Sequence, residues 1–228
     1  MKPSNHFWAG VRAEFPLLVG VFPFGLIYGA LALGAGLPPA AAQGMSSILF
    51  AGSSQFAAAQ LIHDLTPALV IVFTIAIINL RHMLYSASLA PYLKDLSARW
   101  KIFLSYLMTD EAYAVAILNY ERVGGTQAAG GHWYFLGAGL GLWTTWQIST
   151  ALGIWLGAAI PADWPLDFAL PLTFIAMLMP MLKTRPSVAA ALSAGAVAVL
   201  TYSWPYRLGL VAAVLTGIFV GAILEARK

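Results

Sequence analysis

The stretch from Phe15 to Ile62 constrains this chain more than any other part of its sequence. Its 48 residues include no Asp, Glu, Lys, Arg or His. Because a helix that crosses a bilayer needs about 20 apolar residues, the stretch is long enough to enter a membrane twice. We therefore expect two membrane segments here, one on each side of the Pro38-Pro39 pair.

Both segments contain residues that interrupt a regular helix. Pro16 and the triplet Pro23-Phe24-Gly25 fall in the first segment, and Ala51-Gly52-Ser53-Ser54-Gln55-Phe56 falls in the second. Backbone groups that are freed at membrane depth need partners from protein or from a water-filled cavity. Paired broken segments are a sequence sign of a transport site. The stretch thus predicts broken helices along a solute pathway.

Composition places the whole chain in the membrane. Of its 228 residues 60% are hydrophobic and 9% are charged, whereas soluble domains have about 25% charged residues. The apolar runs are longer than the roughly ten-residue alternating segments of a transmembrane barrel, so they predict helices. The net charge of +3 fits the positive-inside rule better than nucleic-acid binding. The absence of cysteine excludes disulfides, iron–sulfur clusters and thiol chemistry.

We predict an all-α polytopic membrane protein with seven or eight transmembrane segments, depending on whether residues 40–62 cross the membrane or re-enter it. In chain order the predicted segments are 15–36, 40–62, 67–93, 102–120, 132–160, 164–182, 186–202 and 205–224. The expected domain organisation is an N-terminal tail of residues 1–14, a single transmembrane domain of residues 15–224 and a C-terminal tail of residues 225–228.

Two short internal similarities would fit an inverted repeat. Glu14-Phe15-Pro16-Leu17 is similar to Asp163-Trp164-Pro165-Leu166, and a second proline, Pro23 or Pro171, follows each. Gly52-Ser53-Ser54-Gln55 is similar to Thr144-Thr145-Trp146-Gln147. These matches predict a second pair of breaks, at Trp146-Gln147 and at Pro171. Short proline and Ser/Thr matches also arise by chance in apolar helices, so both interpretations stay open.

Ionisable residues lie near the middle of two predicted segments: Arg81 and His82 in one, Asp110 and Glu111 in the other. A charge at the membrane centre costs about 2.5–3.5 kcal/mol on insertion scales, so it normally faces protein or a cavity. Asn79 shares a helix face with His82, because helical neighbours lie three or four residues apart. One hypothesis is a proton-coupled or ammonium-recognising site in which Asp110 or Glu111 titrates. The other is a structural pair between Arg81 and one acid, which can also act as a gate.

The interrupted segments supply candidate ligands for a substrate. An open helix at residues 52–55 would offer free amides, two hydroxyls and a carboxamide to a carboxylate. The alternative is that small residues there only let helices pack closely. The candidate substrate-binding residues are Pro23, Phe24, Gly25, Tyr28, Gly52, Ser53, Ser54, Gln55, Phe56 and Gln147. The candidate coupling or gating residues are Asn79, Arg81, His82, Asp110 and Glu111.

The sequence gives little support to an enzyme. Gly52-Ser53-Ser54-Gln55 partly matches the Gly-x-Ser-Gly motif of intramembrane serine proteases, but Gln55 replaces the second glycine. No metal-ligand spacing and no G-x-x-x-x-G-K-[ST] phosphate loop occur, so we predict neither a metal site, nor a cofactor, nor ATP-driven pumping. A passive channel for small polar solutes and an intramembrane serine hydrolase stay as alternatives to a transporter.

Taken in order, these motifs resemble the AzlC family, the large subunit of bacterial branched-chain amino acid exporters. The matching motifs are Phe15-Pro16, Pro23-Phe24-Gly25, Phe50-Ala51-Gly52-Ser53-Ser54-Gln55-Phe56, Asn79-Leu80-Arg81-His82, Thr109-Asp110-Glu111, Trp146-Gln147 and Asp167-Phe168. The resemblance implies export of valine, leucine, isoleucine and sometimes methionine across the bacterial cytoplasmic (inner) membrane. It also implies a small, separate AzlD-type membrane subunit. Because no nucleotide motif is present, we expect secondary, proton-coupled transport in the lipid bilayer.

Overall fold

The computed structural model describes residues 2–123, 130–158, 182, 184–204 and 208–226, and every regular element in this part of the chain is an α-helix. The predicted all-α class is confirmed there. Three helical stretches among these residues are long and apolar enough to cross a membrane: Pro3–Gly34, Ala68–Leu93 and Leu208–Glu225. The predicted segment 164–182 lies outside the described residues except for Leu182, and so do the motifs at residues 163–168 and Pro171.

Ten helices are described in these ranges. They are α1 Pro3–Gly34, α2 Pro39–Ile48, α3 Gly52–His63, α4 Ala68–Asn79, α5 Arg81–Leu93, α6 Ala98–Tyr106, α7 Asp110–Arg122, α8 Gly131–Gly157, α9 Arg185–Leu200 and α10 Leu208–Glu225. The chain divides into two compact units, one of residues 1–63 and 75–164 and the other of residues 64–74 and 165–228.

Helix α1 is continuous, so the prediction that prolines break it is wrong. It runs for 32 residues with Pro16 and Pro23 in its interior, and both prolines are exposed. A proline in a membrane helix is tolerated where neighbouring protein and small backbone adjustments satisfy the freed carbonyl. The opposite face of α1 packs along α8 and supports the helix past both prolines. Residues 3–14, expected to form a tail, are part of this helix.

Helices α1 and α8 pack closely because glycines line their contact. A Cβ atom at Gly10 or Gly29 would collide with the backbone of α8, and one at Gly137 or Gly153 would collide with the backbone of α1. Small residues of this kind drive association of membrane helices, because they let two backbones approach. Helix α8 is uninterrupted over its 27 residues. The second break predicted at Trp146-Gln147 is therefore wrong, since those residues lie inside a regular helix.

Three interruptions divide helices of the first unit. Residues 49–51 separate α2 from α3, Leu80 separates α4 from α5, and residues 107–109 separate α6 from α7. The first lies directly before the predicted Gly52-Ser53-Ser54-Gln55 motif, which itself forms the first turn of α3. The second falls at the polar centre of the predicted segment 67–93. The third was not predicted, because segment 102–120 was read as one helix.

In the first unit an apolar core joins α5, α6, α7 and α8. Its buried members include Leu89, Leu104, Leu107, Ala116 and Phe135. The unpredicted interruption at residues 107–109 lies within this core, so the first turn of α7 is held by packed side chains rather than exposed to lipid.

The second unit contains α9 and α10, which pack together through small residues. A Cβ atom at Gly217 would lie 3.1 Å from the Cβ of Ala194. Helix α9 begins with a capping box, in which the Thr184 hydroxyl accepts the Ser187 backbone N–H and the Ser187 hydroxyl accepts the Thr184 N–H. Such a box satisfies two backbone donors at a helix start. These helices correspond to the predicted segments 186–202 and 205–224.

Candidate functional site

Gln55 holds the interruption between α2 and α3. The last carbonyl groups of a helix have no partner within the helix, and the bilayer core offers no water to satisfy them. Gln55 Nε2 donates to the carbonyl oxygens of Leu49 at 2.7 Å and Met45 at 3.2 Å. Its Oε1 accepts a hydrogen bond from Trp146 Nε1 at 3.0 Å. The side chain is completely buried. Its amide nitrogen and its oxygen both form hydrogen bonds, and these bonds stabilise the break.

Two other helices satisfy further carbonyl groups at the end of α2. Tyr106 Oη, from α6, donates to the Ser47 carbonyl, and Gln147 Nε2, from α8, donates to the Ser46 carbonyl at 3.0 Å. Gln147 Oε1 in turn accepts from Gln43 Nε2 at 2.7 Å and from Ser47 Oγ at 3.0 Å. The interruption is therefore a built element of the fold, with its free backbone groups paired.

An aromatic cluster encloses the first turns of α3. Tyr28 and Phe56 are completely buried, and their rings meet edge to face with centroids 5.9 Å apart. The Tyr28 ring also stacks on Trp146 at 6.1 Å, and its hydroxyl donates to the Ala42 carbonyl at 3.0 Å. A Cβ atom at Gly52 would lie 3.1 Å from the Trp146 indole. These candidate residues thus form a packed aromatic wall behind the break.

Replacing Trp146 by phenylalanine is expected to lower stability by about 1–3 kcal/mol, because the buried Gln55 Oε1 loses its donor. The measurement is the thermal unfolding midpoint in detergent. Trp155→Phe is the matched control, since Trp155 lies on the same helix and is 70% exposed. Equal midpoints for the two variants would mean that the Trp146 hydrogen bond does not hold the break.

An ion pair lies where three helices begin. Arg81 Nη1 contacts Asp110 Oδ2, and Arg81 Nη2 donates to Ser53 Oγ at 2.7 Å. Ser53 lies in the first turn of α3, while Arg81 and Asp110 are the first residues of α5 and α7. Helix N-termini each carry roughly half a positive charge, which stabilises the Asp110 carboxylate. The Arg81 and Asp110 side chains are 27% and 36% exposed, so the pair is partly accessible.

Polar and aromatic side chains flank the ion pair. Ser54 Oγ donates to Asn79 Oδ1 at 2.7 Å, which joins α3 to the last residue of α4. The His82 ring packs edge to face against Tyr85 at 5.9 Å, and Tyr85 stacks on Tyr113 of α7 at 4.4 Å. These contacts connect the three interruptions into one polar centre within the first unit.

A cavity of about 330 Å³ lies among α5, α6 and α8, beside the interruption between α6 and α7. Met108 of that interruption lines it together with Leu93 and Phe135, and Lys94 and Lys101 add positive charge. Pockets for small molecules in proteins have volumes of roughly 300–1,000 Å³. The cavity is therefore large enough for a small organic solute.

Three predicted substrate ligands lie apart from this centre, on the uninterrupted α1. Pro23 is exposed, Phe24 is partly buried, and Gly25 faces Ser149 of α8. Their positions follow from the continuity of α1, which leaves no opened backbone at the triplet. Glu111 is the second residue of α7 and does not join the ion pair with Arg81.

Sequence reasoning missed the polar face of α2. Gln43, Ser46 and Ser47 contact α8 through Gln147 and Thr150, with Ser46 Oγ and Thr150 Oγ1 3.1 Å apart. The signal was available, because residues i, i+3 and i+4 share one helix face. Among the described residues, no group of three or more His, Cys, Asp or Glu could hold a metal ion.

Interrupted helices that meet at an ion pair, in a chain of apolar helices, define a multi-pass membrane protein with the architecture of a solute transporter. The family model described as "AzlC protein" matches residues 16–160. The chain belongs to the AzlC family. The predicted family resemblance and the membrane location are both confirmed.

Relatives agree with this assignment along most of the chain. An "Uncharacterized membrane protein" of Archaeoglobus fulgidus is 32% identical, covering 95% of this chain and 94% of that protein. "Inner membrane protein YgaZ" of Escherichia coli is 25% identical, covering 96% and 89%. "Branched-chain amino acid transport protein AzlC" of Bacillus subtilis is 26% identical, covering 50% and 46%. No solved structure matches the chain.

Proposed function

We propose that this protein is a secondary transporter that exports branched-chain amino acids, driven by protons and working with a small AzlD-type membrane subunit. The observation that carries the proposal is the Arg81–Asp110 pair at the first turns of α3, α5 and α7. The name of the Bacillus subtilis relative supports the substrate class. Export direction, proton coupling and the subunit rest on the family resemblance and on the lack of a nucleotide-binding loop.

An amino acid zwitterion carries the same two charges as the pair. Its carboxylate can take the place of Asp110 beside Arg81, with the first turn of α3 and the Ser53 hydroxyl as further donors. Its ammonium group can take the place of Arg81 beside Asp110. Arg81 Nε and Asp110 Oδ1 are buried, and in the described ranges neither atom has a hydrogen-bond partner. Because separating a sheltered ion pair leaves two uncompensated charges, a ligand that supplies both opposite charges offsets that cost.

The apolar part of the cavity beside the interruption between α6 and α7 favours an aliphatic side chain. Met108 lies two residues before Asp110 and lines the cavity of about 330 Å³, together with Leu93 and Phe135. Valine, leucine, isoleucine and methionine bury apolar surface there, at about 25 cal/mol per Å² removed from water. A lysine or arginine side chain would meet the positive charges of Lys94 and Lys101 there, so cationic amino acids are disfavoured.

Efflux from liposomes tests the proposal. Vesicles that contain the protein, with and without its AzlD-type subunit, are loaded with labelled leucine and subjected to a pH gradient. We expect saturable efflux that valine and isoleucine inhibit and lysine does not. For one proton per leucine, a gradient of one pH unit supports an accumulation ratio of up to about ten, because 1.36 kcal/mol corresponds to a factor of ten.

The alternatives give different results in the same preparation. Flux that does not saturate and ignores the pH gradient would indicate a channel for small polar solutes. A covalent adduct at Ser53 or Ser54 with a serine-reactive probe would indicate an intramembrane hydrolase. An adduct is not expected, since both hydroxyls are hydrogen-bonded, Ser53 to Arg81 and Ser54 to Asn79.

A further inference from the structure

Glu14 is a buried acid outside the site described above. Its side chain on α1 is 0% exposed, and neither carboxyl oxygen has a hydrogen-bond partner among the residues that the structure describes. One turn before it, Gly10 faces the backbone of Tyr134, and one turn after it, Leu18 lies beside Gly141. Glu14 therefore lies on the face of α1 that packs against α8.

A second acid, Glu111 of α7, lies near enough to Glu14 for their charges to interact. On the helices packed against α1, the ionisable groups that interact with Glu14 are Glu111 of α7 and Tyr134 of α8. Helix α2 has no ionisable side chain, and α3 has only His63, its last residue. Arg122, at the other end of α7, interacts with Tyr134. Within the described part of the chain, Glu14 thus has an acid nearby and no ion-pair partner.

The position is unfavourable for a carboxylate. A buried charge without a partner is strongly destabilising, and two neighbouring carboxylates repel each other, so the pair retains a proton. Proton relays in membrane transporters are built from acids in such positions. By contrast, Asp110 forms an ion pair with Arg81. The first turn of α7 therefore carries both Asp110, which pairs with Arg81, and Glu111, whose charge interacts with Glu14.

We propose that Glu14, near Glu111, binds the proton that drives transport, at a site separate from the Arg81–Asp110 pair. This inference rests on the proposed function. Asp110 and Glu111 are adjacent in one helical turn, so a ligand that separates Asp110 from Arg81 also moves Glu111 relative to Glu14. Loss of the proton from Glu14 then follows from the changed distance between the two acids. Substrate and proton are coupled through the first turn of α7.

The test compares Glu14→Gln with wild type and with Glu121→Gln in liposomes. Glutamine imitates the protonated acid, and Glu121 is an exposed glutamate at the far end of α7. We expect Glu14→Gln to exchange labelled leucine at equal pH on both sides but to lose all accumulation driven by a pH gradient. Glu14→Asp should restore part of it, and Glu121→Gln should match wild type. Accumulation by Glu14→Gln at the wild-type ratio would overturn the inference.

Carbodiimide labelling gives a second measurement on the wild-type protein, which does not depend on the folding of a variant. Dicyclohexylcarbodiimide adds to protonated carboxyl groups in apolar surroundings, and peptide mass spectrometry locates the adduct. We expect an adduct at Glu14 and none at Glu121; an unlabelled Glu14 would overturn the inference, as would transport driven by a sodium gradient in place of protons. If wild type exchanges no leucine, the proposed function fails, while the labelling still shows whether Glu14 holds a proton.

Discussion

Neutralising both Arg81 and Asp110 is expected to abolish transport while disturbing the fold less than either single change. Arg81→Gln leaves the Asp110 carboxyl group without its ion-pair partner, and Asp110→Asn leaves the Arg81 guanidinium without its ion-pair partner. Breaking a fully buried pair costs about 3–5 kcal/mol, and the partial exposure of this pair places the expected cost below that range. The double variant carries neither charge, so its unfolding midpoint should lie nearer to wild type. Leucine exchange and thermal unfolding are measured on the same samples.

The exposed residues Asp95 and Arg99 offer a matched control, because Asp95→Asn with Arg99→Gln removes the same two charges from the surface. This control should transport as wild type does. If the Arg81→Gln, Asp110→Asn protein also transported at the wild-type rate, the pair would be a structural element only, and the zwitterion would bind elsewhere.

Gly29→Ala is expected to prevent α1 and α8 from packing. The added Cβ would collide with backbone atoms of Thr150, Gly153 and Ile154, none of which a side-chain rotation can move. Overpacking of a core costs about 1–3 kcal/mol, and more where the backbone must shift. Here the clash is with backbone atoms, so helices α1 and α8 must move apart. We expect little monodisperse protein and a sharply lower unfolding midpoint.

Gly20→Ala provides the comparison on the same helix. No atom of the described residues lies within 4 Å of a Cβ at Gly20, and alanine in a helix interior is favoured over glycine by about 1 kcal/mol. Gly20→Ala should therefore keep or raise the unfolding midpoint. Two alanine variants with the same midpoint would contradict the close approach of α1 and α8.

The interruption before α3 was the feature of the site that sequence predicted best. A cluster of small and polar residues, Gly52-Ser53-Ser54-Gln55, in a long apolar run indicated a break, and the break lies directly before it. The role of Gln55 at this interruption differs from the predicted one. Gln55 was considered as a ligand for a substrate carboxylate, whereas its carboxamide binds the carbonyls of Met45 and Leu49 and the indole of Trp146.

The prolines of α1 show that a residue that breaks isolated helices does not by itself predict a broken helix in a membrane protein. Pro16 and Pro23 predict a broken helix from their missing N–H groups alone. Whether the helix breaks depends on what packs against its other face, and here the glycine-lined contact with α8 supports it. The reverse holds at residues 107–109, where no proline or glycine signals the interruption of α6 and α7.

The amino-acid sequence by itself determined the membrane class, the helical fold and the family, because these depend on the length of apolar runs and on the order of short motifs. It also identified Arg81, Asp110 and Glu111 as charged residues at membrane depth, where a charge is unfavourable unless it faces protein or a cavity. Only the tertiary structure decided that Asp110 pairs with Arg81 and that Glu14 is buried without a hydrogen-bond partner among the described residues. Partner choice depends on the direction in which each side chain leaves a helix that begins at residue 110, and that start is set by packing among α5, α6 and α8.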